Sequence, residues 1–447
     1  MSSAAPVLGE ESPVGWRLAG PAVAWLTVGV AVLLFGVLLR RPEVAVLGLP
    51  PLLGAATSWS RWPAVTPQAR LRGTDQAAGG DGLLRGELVV AGGEGPGLLS
   101  VRVGAPGHRP RDCLLTASRR TVPLEMASVR TGRRPLFRLD WSGADSSALL
   151  TTPVTSPDPV VVTVLPAARS LGALPLPFRL QGLTGPHGSR RTGDGGDLHD
   201  VAPFRPGDRL RRIDWRVTAR LNRAGGAGGT GAVTELYVRR TFATADATVM
   251  LVVDSRDDVG PRVSSWDDAA EVDEDEATSL DLARTAAASL ARAYLEAGDR
   301  VGLEDLGRTR RPSPPAGGRQ QLRRLVLQLA LSQPEGEPRR RRRAPRLPSG
   351  CLIVLFSTFL DDDAAEMAVT WRQSGHRVLA VDVLPVLVTA ALPDRRRTAF
   401  WIVAMEREDR LTALQAQGVE TVSWQQLDRG RDPATTLAVL ARRQHRR

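Results

Sequence analysis

The sequence predicts a mixed fold made of an N-terminal transmembrane helical hairpin, a small all-β sandwich-like domain and an α/β domain with a doubly wound sheet. Three observations predict it. Residues 18–39 contain no charged side chain, short apolar alternations recur between Gly, Pro and Ser clusters over residues 83–165, and strand-like segments alternate with helix-like segments from residue 248 onward. With 447 residues, 42% of them hydrophobic, the chain can form two or three cores.

The N-terminal region divides into a tail (residues 1–17), the predicted hairpin (18–62) and a linker (63–82). Residues 18–39 would span about 33 Å as a helix, enough to cross a bilayer. A second apolar run, residues 44–59, contains Pro50 and Pro51 and predicts either a second span or a re-entrant segment. The arginines around the two runs favour a multi-pass plasma-membrane protein with the bulk of the chain in the cytoplasm.

The remaining boundaries follow from changes in composition. Residues 83–165 form the predicted β-sandwich-like domain, and residues 166–196 form a connector rich in proline and then in glycine. The glycines of this connector lack the GK[ST] motif, so we expect no phosphate loop there. A segment of 49 residues, 197–245, leads into the α/β domain, residues 246–447.

Basic residues are abundant but say little about partners. The Lys+Arg count of 59 consists of arginine alone, which indicates a GC-rich genome and weakens the net charge of +11 as a sign of an anionic ligand. The absence of lysine excludes a Walker A lysine, a kinase phosphate-binding lysine and a Schiff-base lysine.

Motifs of catalysis are missing. The five histidines are scattered, and the chain has no HExxH, no GxSxG and no cluster of His and Cys. Cys113 and Cys351 lie far apart in predicted strands, so we expect two buried free thiols. The sequence therefore predicts a protein that is not an enzyme and has no catalytic residues.

Residues 197–254 carry the most distinctive pattern. Asp208 follows a Pro206-Gly207 turn and is predicted to cap a helix. The predicted inner face of that helix comprises Leu210, Ile213, Val217 and Leu221. The predicted outward side chains are Arg209, Arg211, Arg212, Arg216 and Arg220. After a glycine-rich loop, a buried strand ends at Val253, which places Asp254 at its carboxyl end.

The run FRPGDRLRRIDWRVTAR, followed by ELYVRRTF and the strand before Asp254, resembles the signature of the bacterial domain of unknown function 58 family. The matching positions are Pro206, Gly207, Asp208, Arg211, Ile213, Asp214, Trp215, Ala219 and Arg220. The chain departs from the family in an expanded loop at residues 222–232, and in Arg240 and Thr241, which stand where an acidic character is expected. The resemblance implies a von Willebrand factor A-like domain and a membrane-tethered partner of a MoxR-type AAA+ ATPase.

The same resemblance implies a Mg²⁺ site, because von Willebrand factor A domains hold the ion through a D-x-S-x-S loop and later strand ends. Here Arg256 replaces the first serine of that loop, and we expect it to add charge beside the cation or to pair with Asp254. The degenerate ligand set is Asp254, Ser255, Asp258, Ser357 and Thr358. Three interpretations stay open: an occupied Mg²⁺ site, a polar protein-binding surface, or carboxylates that only cap the loop.

Two charged runs lie outside this set. Residues 257–276 are strongly acidic and predict either a solvated loop or a docking surface for a basic partner. The run Arg339 to Arg343 predicts a solvated loop or a site for anionic lipid or RNA.

The function that these features favour is a non-enzymatic membrane-anchored adaptor or scaffold, working with a MoxR-type AAA+ ATPase in chaperone-like assembly or envelope-related processes. One alternative is a Mg²⁺-dependent ligand-binding or hydrolytic protein that uses the strand-end crevice. The other is a binder of anionic polymers or nucleic acid, although no specific nucleic acid is expected. Apart from possible Mg²⁺, the sequence predicts no cofactor.

Overall fold

The computed structural model describes residues 15–60, 66–73, 83–91, 97–145, 149–180, 185–224, 235–266, 275–308, 311–335, 343–389, 392–425 and 432–445. The chain divides after Leu165 into two compact units. The protein is a mixed α/β structure with several separate sheets.

The first unit begins with three apolar helices, α1 (Gly20–Leu38), α2 (Pro42–Leu47) and α3 (Leu49–Ser60). Both α2 and α3 contact α1. The backbones of α1 and α2 are so close at Gly36 that a side chain would not fit there. A Cβ atom at Gly36 would lie 2.3 Å from the backbone nitrogen of Ala45. Small residues thus let the three helices approach one another backbone to backbone.

Among the described residues, α1 is the one helix long and apolar enough to cross a membrane: it has 19 residues and a mean hydropathy of 2.2 over an 18-residue window. The predicted second span is not supported as a single helix. It is divided at Gly48 into helices of 6 and 12 residues, and Pro50 and Pro51 lie in the first turn of the second one, where proline is tolerated.

The rest of the first unit is built from antiparallel strands. They are β1 (Arg17–Leu18), β2 (Gln68–Gly73), β3 (Leu83–Ala91), β4 (Gly97–Ala105), β5 (His108–Thr116), β6 (Arg120–Ala127), β7 (Gly132–Pro135), β8 (Arg138–Asp145), β9 (Leu150–Thr151) and β10 (Val161–Val164). One sheet has the order β1-β9-β8-β4-β5, another has the order β2-β3-β6, and β7 pairs with β10. Leu88 of β3, Leu99 of β4 and Trp141 of β8 share one buried cluster, so the first two sheets enclose a common core.

The two cysteines have different environments. Cys351 is buried, and burial raises the pKa of its thiol to about 12. The predicted burial of Cys113 is wrong. Cys113 lies on β5, an edge strand whose side chains are exposed along most of its length.

The second unit begins with an antiparallel ribbon of two strands, β11 (His187–Pro203) and β12 (Tyr237–Ala245). The expected connector therefore ends earlier than predicted, because residues 187–196 already belong to β11. Glycine explains the pairing: a Cβ atom at Gly193 would lie 2.4 Å from the Cβ of Ala243. The absence of a side chain at Gly193 thus allows the two strands to approach closely.

A short 3-10 turn (Leu210–Arg212) and helix α4 (Trp215–Ala224) lie between β11 and β12. The α/β part then comprises β13 (Thr248–Val253), α5 (Ser279–Glu296), β14 (Arg300–Asp305), β15 (Ser313–Ala316), α6 (Gly318–Leu331), β16 (Leu352–Ser357), α7 (Asp363–Gln373), β17 (Arg377–Asp382), α8 (Asp394–Ala416), β18 (Glu420–Ser423) and α9 (Pro433–His445). Its six strands have the order β15-β14-β13-β16-β17-β18, and all pairs are parallel except that of the edge strand β15 with β14.

Helices cover both faces of this sheet. Alternate residues of β13 enter two different cores: Leu251 packs with α5, α6 and α9, whereas Val252 packs with α7 and the end of α8. The sheet is therefore doubly wound, and the carboxyl ends of β13, β16 and β17 meet at one edge. That edge carries one of the two candidate sites.

Candidate functional site

The signature segment starts with a tight turn. Gly207 has a φ of 101°, which glycine adopts without strain. One carboxylate oxygen of Asp208 accepts the backbone N–H of Arg205 at 2.9 Å and a guanidinium N–H of Arg240 at 3.2 Å. The hydrogen bond from Arg205, followed by the bond and charge of Arg240, holds the pKa of Asp208 below its usual value.

Asp208 was predicted to cap the signature helix, and this prediction is wrong. The helix α4 begins at Trp215, and Asp214 caps it: its Oδ1 accepts the backbone N–H groups of Arg216 and Val217, each at 3.1 Å. The reason is a bridge between Ile213 and β12, which keeps the preceding residues out of the helix.

Thr218 and Asn222 anchor α4 to β12. The Thr218 hydroxyl accepts the backbone N–H of Tyr237 at 3.0 Å. The Asn222 amide donates to the carbonyls of Thr218 and Glu235 at 2.9 and 2.8 Å, and its oxygen accepts the Glu235 N–H at 3.3 Å. Asn222 was not among the predicted site residues, although it is the only asparagine in the chain.

The outer surface of the signature is more apolar than predicted. Leu210 is 70% exposed, Trp215 is 64% exposed and Leu221 is 42% exposed, so the predicted inner face is wrong at Leu210 and Leu221. Ile213 and Val217 are half-buried. The signature residues exposed to solvent are Pro206, Gly207, Arg211, Trp215, Ala219 and Arg220. Asp208 and Asp214 thus hold the backbone, while tryptophan and arginine face outward.

The second candidate site lies at the carboxyl ends of β13 and β16. The backbone N–H of Asp254 donates to the Phe356 carbonyl at 2.9 Å, and the Ser357 hydroxyl donates to Asp254 Oδ2 at 2.8 Å. These two contacts fix Asp254 beside the end of β16, where its carboxylate oxygens are the ligands that a bound cation would use.

The Arg256 guanidinium fills the space in front of these oxygens. Its Nε and Nη2 donate to the two oxygens of Asp254, each at 2.8 Å, and its Nη1 lies 2.9 Å from Asp361 and 3.0 Å from Asp363. The side chains of Arg256, Asp254 and Asp363 are 3%, 7% and 7% exposed. We call these four residues, Asp254, Arg256, Asp361 and Asp363, the arginine cage.

Charge neutralisation within the cage is visible in the pKa values. Burial by itself lowers the pKa of Arg256, but the hydrogen bonds and charges of Asp254 and Asp361 outweigh burial and raise it above its ordinary value. Arg256 is therefore a permanent cation. The pKa of the neighbouring Asp257 is raised by burial and by the charges of Asp254 and Asp361.

The predicted metal ligands do not converge on one point. Ser255 donates its hydroxyl to Asp305, Asp258 accepts the backbone N–H of Leu280 at 3.3 Å, and the Thr358 carbonyl accepts the Arg407 Nε–H at 2.7 Å. Asp254 and Ser357 are hydrogen-bonded to each other. In the described part of the chain, no group of three or more His, Cys, Asp or Glu side chains is arranged to hold a metal. The residues present do not fit Mg²⁺, because a guanidinium stands between the carboxylates.

Two cage members escaped the sequence argument. Asp361 and Asp363 follow β16 in the run Asp-Asp-Asp, and the second of them opens α7. The signal was present, because carboxylates after a parallel strand lie at the same sheet edge as Asp254. The sequence did not show that Asp361 and Asp363 neutralise the guanidinium of Arg256.

Large parts of the two charged runs lie outside the described residues. Of the acidic run 257–276, residues 267–274 are not among the described residues. Of the run Arg339 to Arg343, only Arg343 is among them. The expanded signature loop is described only at residues 222–224.

Comparison with known proteins places the signature in a family. Residues 200–396 match the family described as "Protein of unknown function DUF58". No curated protein matches the chain significantly. The chain is similar to a solved structure titled "Structure of a family two carbohydrate esterase from Cellvibrio japonicus", with 10% identity, coverage of 84% of this chain and 94% of that chain, and a TM-score of 0.15, a value too low to carry any argument. Over residues 200–396, which contain both the signature and the arginine cage, the chain belongs to the DUF58 family.

Proposed function

We propose that the protein is a non-enzymatic membrane-anchored adaptor or scaffold that works with a MoxR-type AAA+ ATPase in chaperone-like assembly or envelope-related processes. The observation that carries the proposal is the exposure of Trp215, 64%, on a helix whose carboxylate and amide side chains hold the backbone in place. A rigidly held tryptophan beside arginine is the composition of a protein-binding hot spot.

The arginine cage supports a non-catalytic use of the strand-end crevice. We propose that the doubly wound sheet is a von Willebrand factor A-like domain in which Arg256 takes the place that the family pattern gives to Mg²⁺. A guanidinium bonded to Asp254 offers neither an open ligand position nor a water to activate. The Mg²⁺-dependent alternative therefore loses its main support.

The membrane part of the proposal rests on α1. We propose that α1 anchors the protein in the plasma membrane and that α2 and α3 return across it, so that both ends of the chain lie in the cytoplasm. The close packing of Gly36 of α1 on Ala45 of α2 favours a return path next to α1. If both ends are cytoplasmic, an N-terminal tag should be protected from protease in spheroplasts. Cleavage of the tag would instead indicate that the chain crosses the membrane only once.

The adaptor proposal is tested by capture of the ATPase. The tagged full chain, extracted in detergent, is incubated with a nucleotide-loaded MoxR-type AAA+ ATPase from the same organism. We expect the full chain to retain the ATPase, Trp215→Ala to lose most of it, and Leu327→Ala to keep it, because Leu327 is a comparably exposed apolar residue, 49%, on α6. No retention by the unmodified chain contradicts the proposal.

Binding of an anionic polymer is the second candidate. The exposed Arg209, Arg211, Arg216 and Arg220 on the signature segment favour it. Such binding to heparin, which has no bases to stack on tryptophan, would weaken steeply with salt and would survive Trp215→Ala. A shallow salt dependence, or loss of binding through Trp215→Ala alone, would reject it.

A further inference from the structure

Helix α8 has an outer half that the fold does not cover. Its C-terminal half is held against the sheet: Leu414 is 1% exposed, Arg407 pairs with Asp382, and Arg410 donates to the Phe359 carbonyl at 2.8 Å. Residues 394–399 are exposed without exception. A regular helical pattern is visible in the sequence only from Glu406, 12 residues after the start of α8.

Three large apolar side chains form an outward stripe on α8. Trp401, Ile402 and Met405 are 61%, 53% and 65% exposed. At about 100° per residue they fall within an arc of about 100°, on the side of the helix opposite Leu414. A stripe of this kind on a helix anchored at one end marks a surface that another molecule covers.

The charges beside the stripe change sign along the helix. The side before it is basic on balance: Arg395, Arg396 and Arg397 are exposed there, together with one exposed acid, Asp394, which pairs with Arg397. Exposed acids follow it: Glu406, Glu408 and Asp409. The acids dominate the outer surface there because Arg407 and Arg410 turn inward to Asp382 and Asp362. Arg395 lies seven residues before Ile402, and Asp409 lies seven residues after it. Opposite charges therefore lie at equal distances on the two sides of Ile402.

We propose that this stripe binds the same stripe of a second copy of the chain, with the two α8 helices antiparallel and a two-fold axis near Ile402. In this arrangement the apolar stripes meet at the centre, and the basic end of each helix faces the acidic end of its partner. A shallow crossing angle of about 20° keeps both ends in reach. Such a self-complementary patch is the requirement of a two-fold interface.

Charge complementarity selects a second copy over other occupants. A membrane surface rich in anionic lipid would attract Arg395 and Arg397, but it would repel Glu406, Glu408 and Asp409 on the same outer surface. A second α8 satisfies both ends at once. The inference does not depend on the AAA+ partner, because the signature helix α4 and the stripe on α8 are different elements.

Cross-linking tests the geometry in the detergent-solubilised full chain. The background is Cys113→Ser, because Cys113 is exposed whereas Cys351 is buried. We expect Ile402→Cys to give a disulfide-linked dimer under mild oxidation. Thr412→Cys, also exposed, should give none, because an antiparallel pair places the two copies of this residue about 30 Å apart. Cross-linking at both positions, or at neither, overturns the proposal.

Charge reversal tests the pairing in a way that separates it from misfolding. Sedimentation should show at least tenfold weaker dimerisation for Glu406→Arg with Asp409→Arg, and equally for Arg395→Glu with Arg397→Glu. The chain that carries all four substitutions regains complementarity and should dimerise again. A monomeric unmodified chain, the result expected if lipid or another protein covers the stripe, overturns the proposal, and so does failure of the fourfold variant to recover dimerisation.

Discussion

The arginine cage and the signature segment use the same chemistry, aspartate with arginine, at different depths. In the cage, the side chains of Asp254 and Arg256 are 7% and 3% exposed. In the signature, those of Asp208 and Arg240 are 21% and 23% exposed. When a buried charge loses its partner, no water is available to take the partner's place. A partly exposed charge that loses its partner is solvated by water instead. We therefore expect substitutions in the cage to affect stability, and we propose that the surface around the signature serves recognition.

The largest effect should come from Arg256→Ala. It leaves Asp254 and Asp363 buried without their cation, and breaking such a buried pair costs about 3–5 kcal/mol. Thermal melting of the full chain in detergent, together with hydrogen exchange of the β13 amides, measures the loss. The control is Arg216→Ala, an exposed arginine of α4, for which we expect less than about 0.5 kcal/mol. Equal effects of the two substitutions would erase the contrast between the regions.

A smaller loss is expected for Asn222→Ala, which removes two hydrogen bonds that tie α4 to Glu235, just before β12, and one hydrogen bond to Thr218 within α4. Because the group is only half-buried, water replaces part of the loss, and about 2 kcal/mol is expected. Hydrogen exchange should increase in α4 and β12 and stay unchanged in β13. Asn222→Asp serves as the second variant: it keeps the size but loses the two N–H donors, and stability equal to the unmodified chain would show that these bonds contribute nothing.

The pH dependence of the signature turn should be weaker still. The folded-state pKa of Asp208 is lowered, so its charge stabilises the fold above the ordinary value of 3.8, and this contribution is lost as the pH falls from there through the lowered pKa. Asp208→Asn keeps an acceptor for Arg205 but lacks the charge. The difference in melting temperature between the two chains should therefore be full at pH 7 and disappear in strong acid. A difference that grows on acidification would have the wrong sign.

The sequence predicted those parts of the fold that depend on local patterns. Strand β13 was predicted at residues 248–253 because a parallel strand buried on both faces is a continuous apolar run. The end of α5 likewise has a local signal in Gly298, whose φ of 91° supplies the left-handed residue that follows many helices. Both signals lie within a few neighbouring residues.

The missed parts depend on distant residues. The partners that close the cage on Arg256 lie more than 100 positions later, and no periodicity connects them. The helix cap moved from Asp208 to Asp214 because β12 holds Ile213 in a bridge, a contact that helix spacing does not reveal. The start of α8 was missed because residues 399–405 are apolar on every side of the helix, which conceals the helical period.

The smallest effect on stability should come from Trp215→Ala, and it is the sharpest test of the comparison. The side chain is 64% exposed, and the cap that starts α4 is made by Asp214, so its truncation should change the melting temperature by less than the equivalent of about 0.5 kcal/mol. Capture of the ATPase should nevertheless fall at least tenfold, the size expected for a hot-spot tryptophan. A large loss of stability would mean that Trp215 serves the fold, and the signature would then resemble the arginine cage rather than contrast with it.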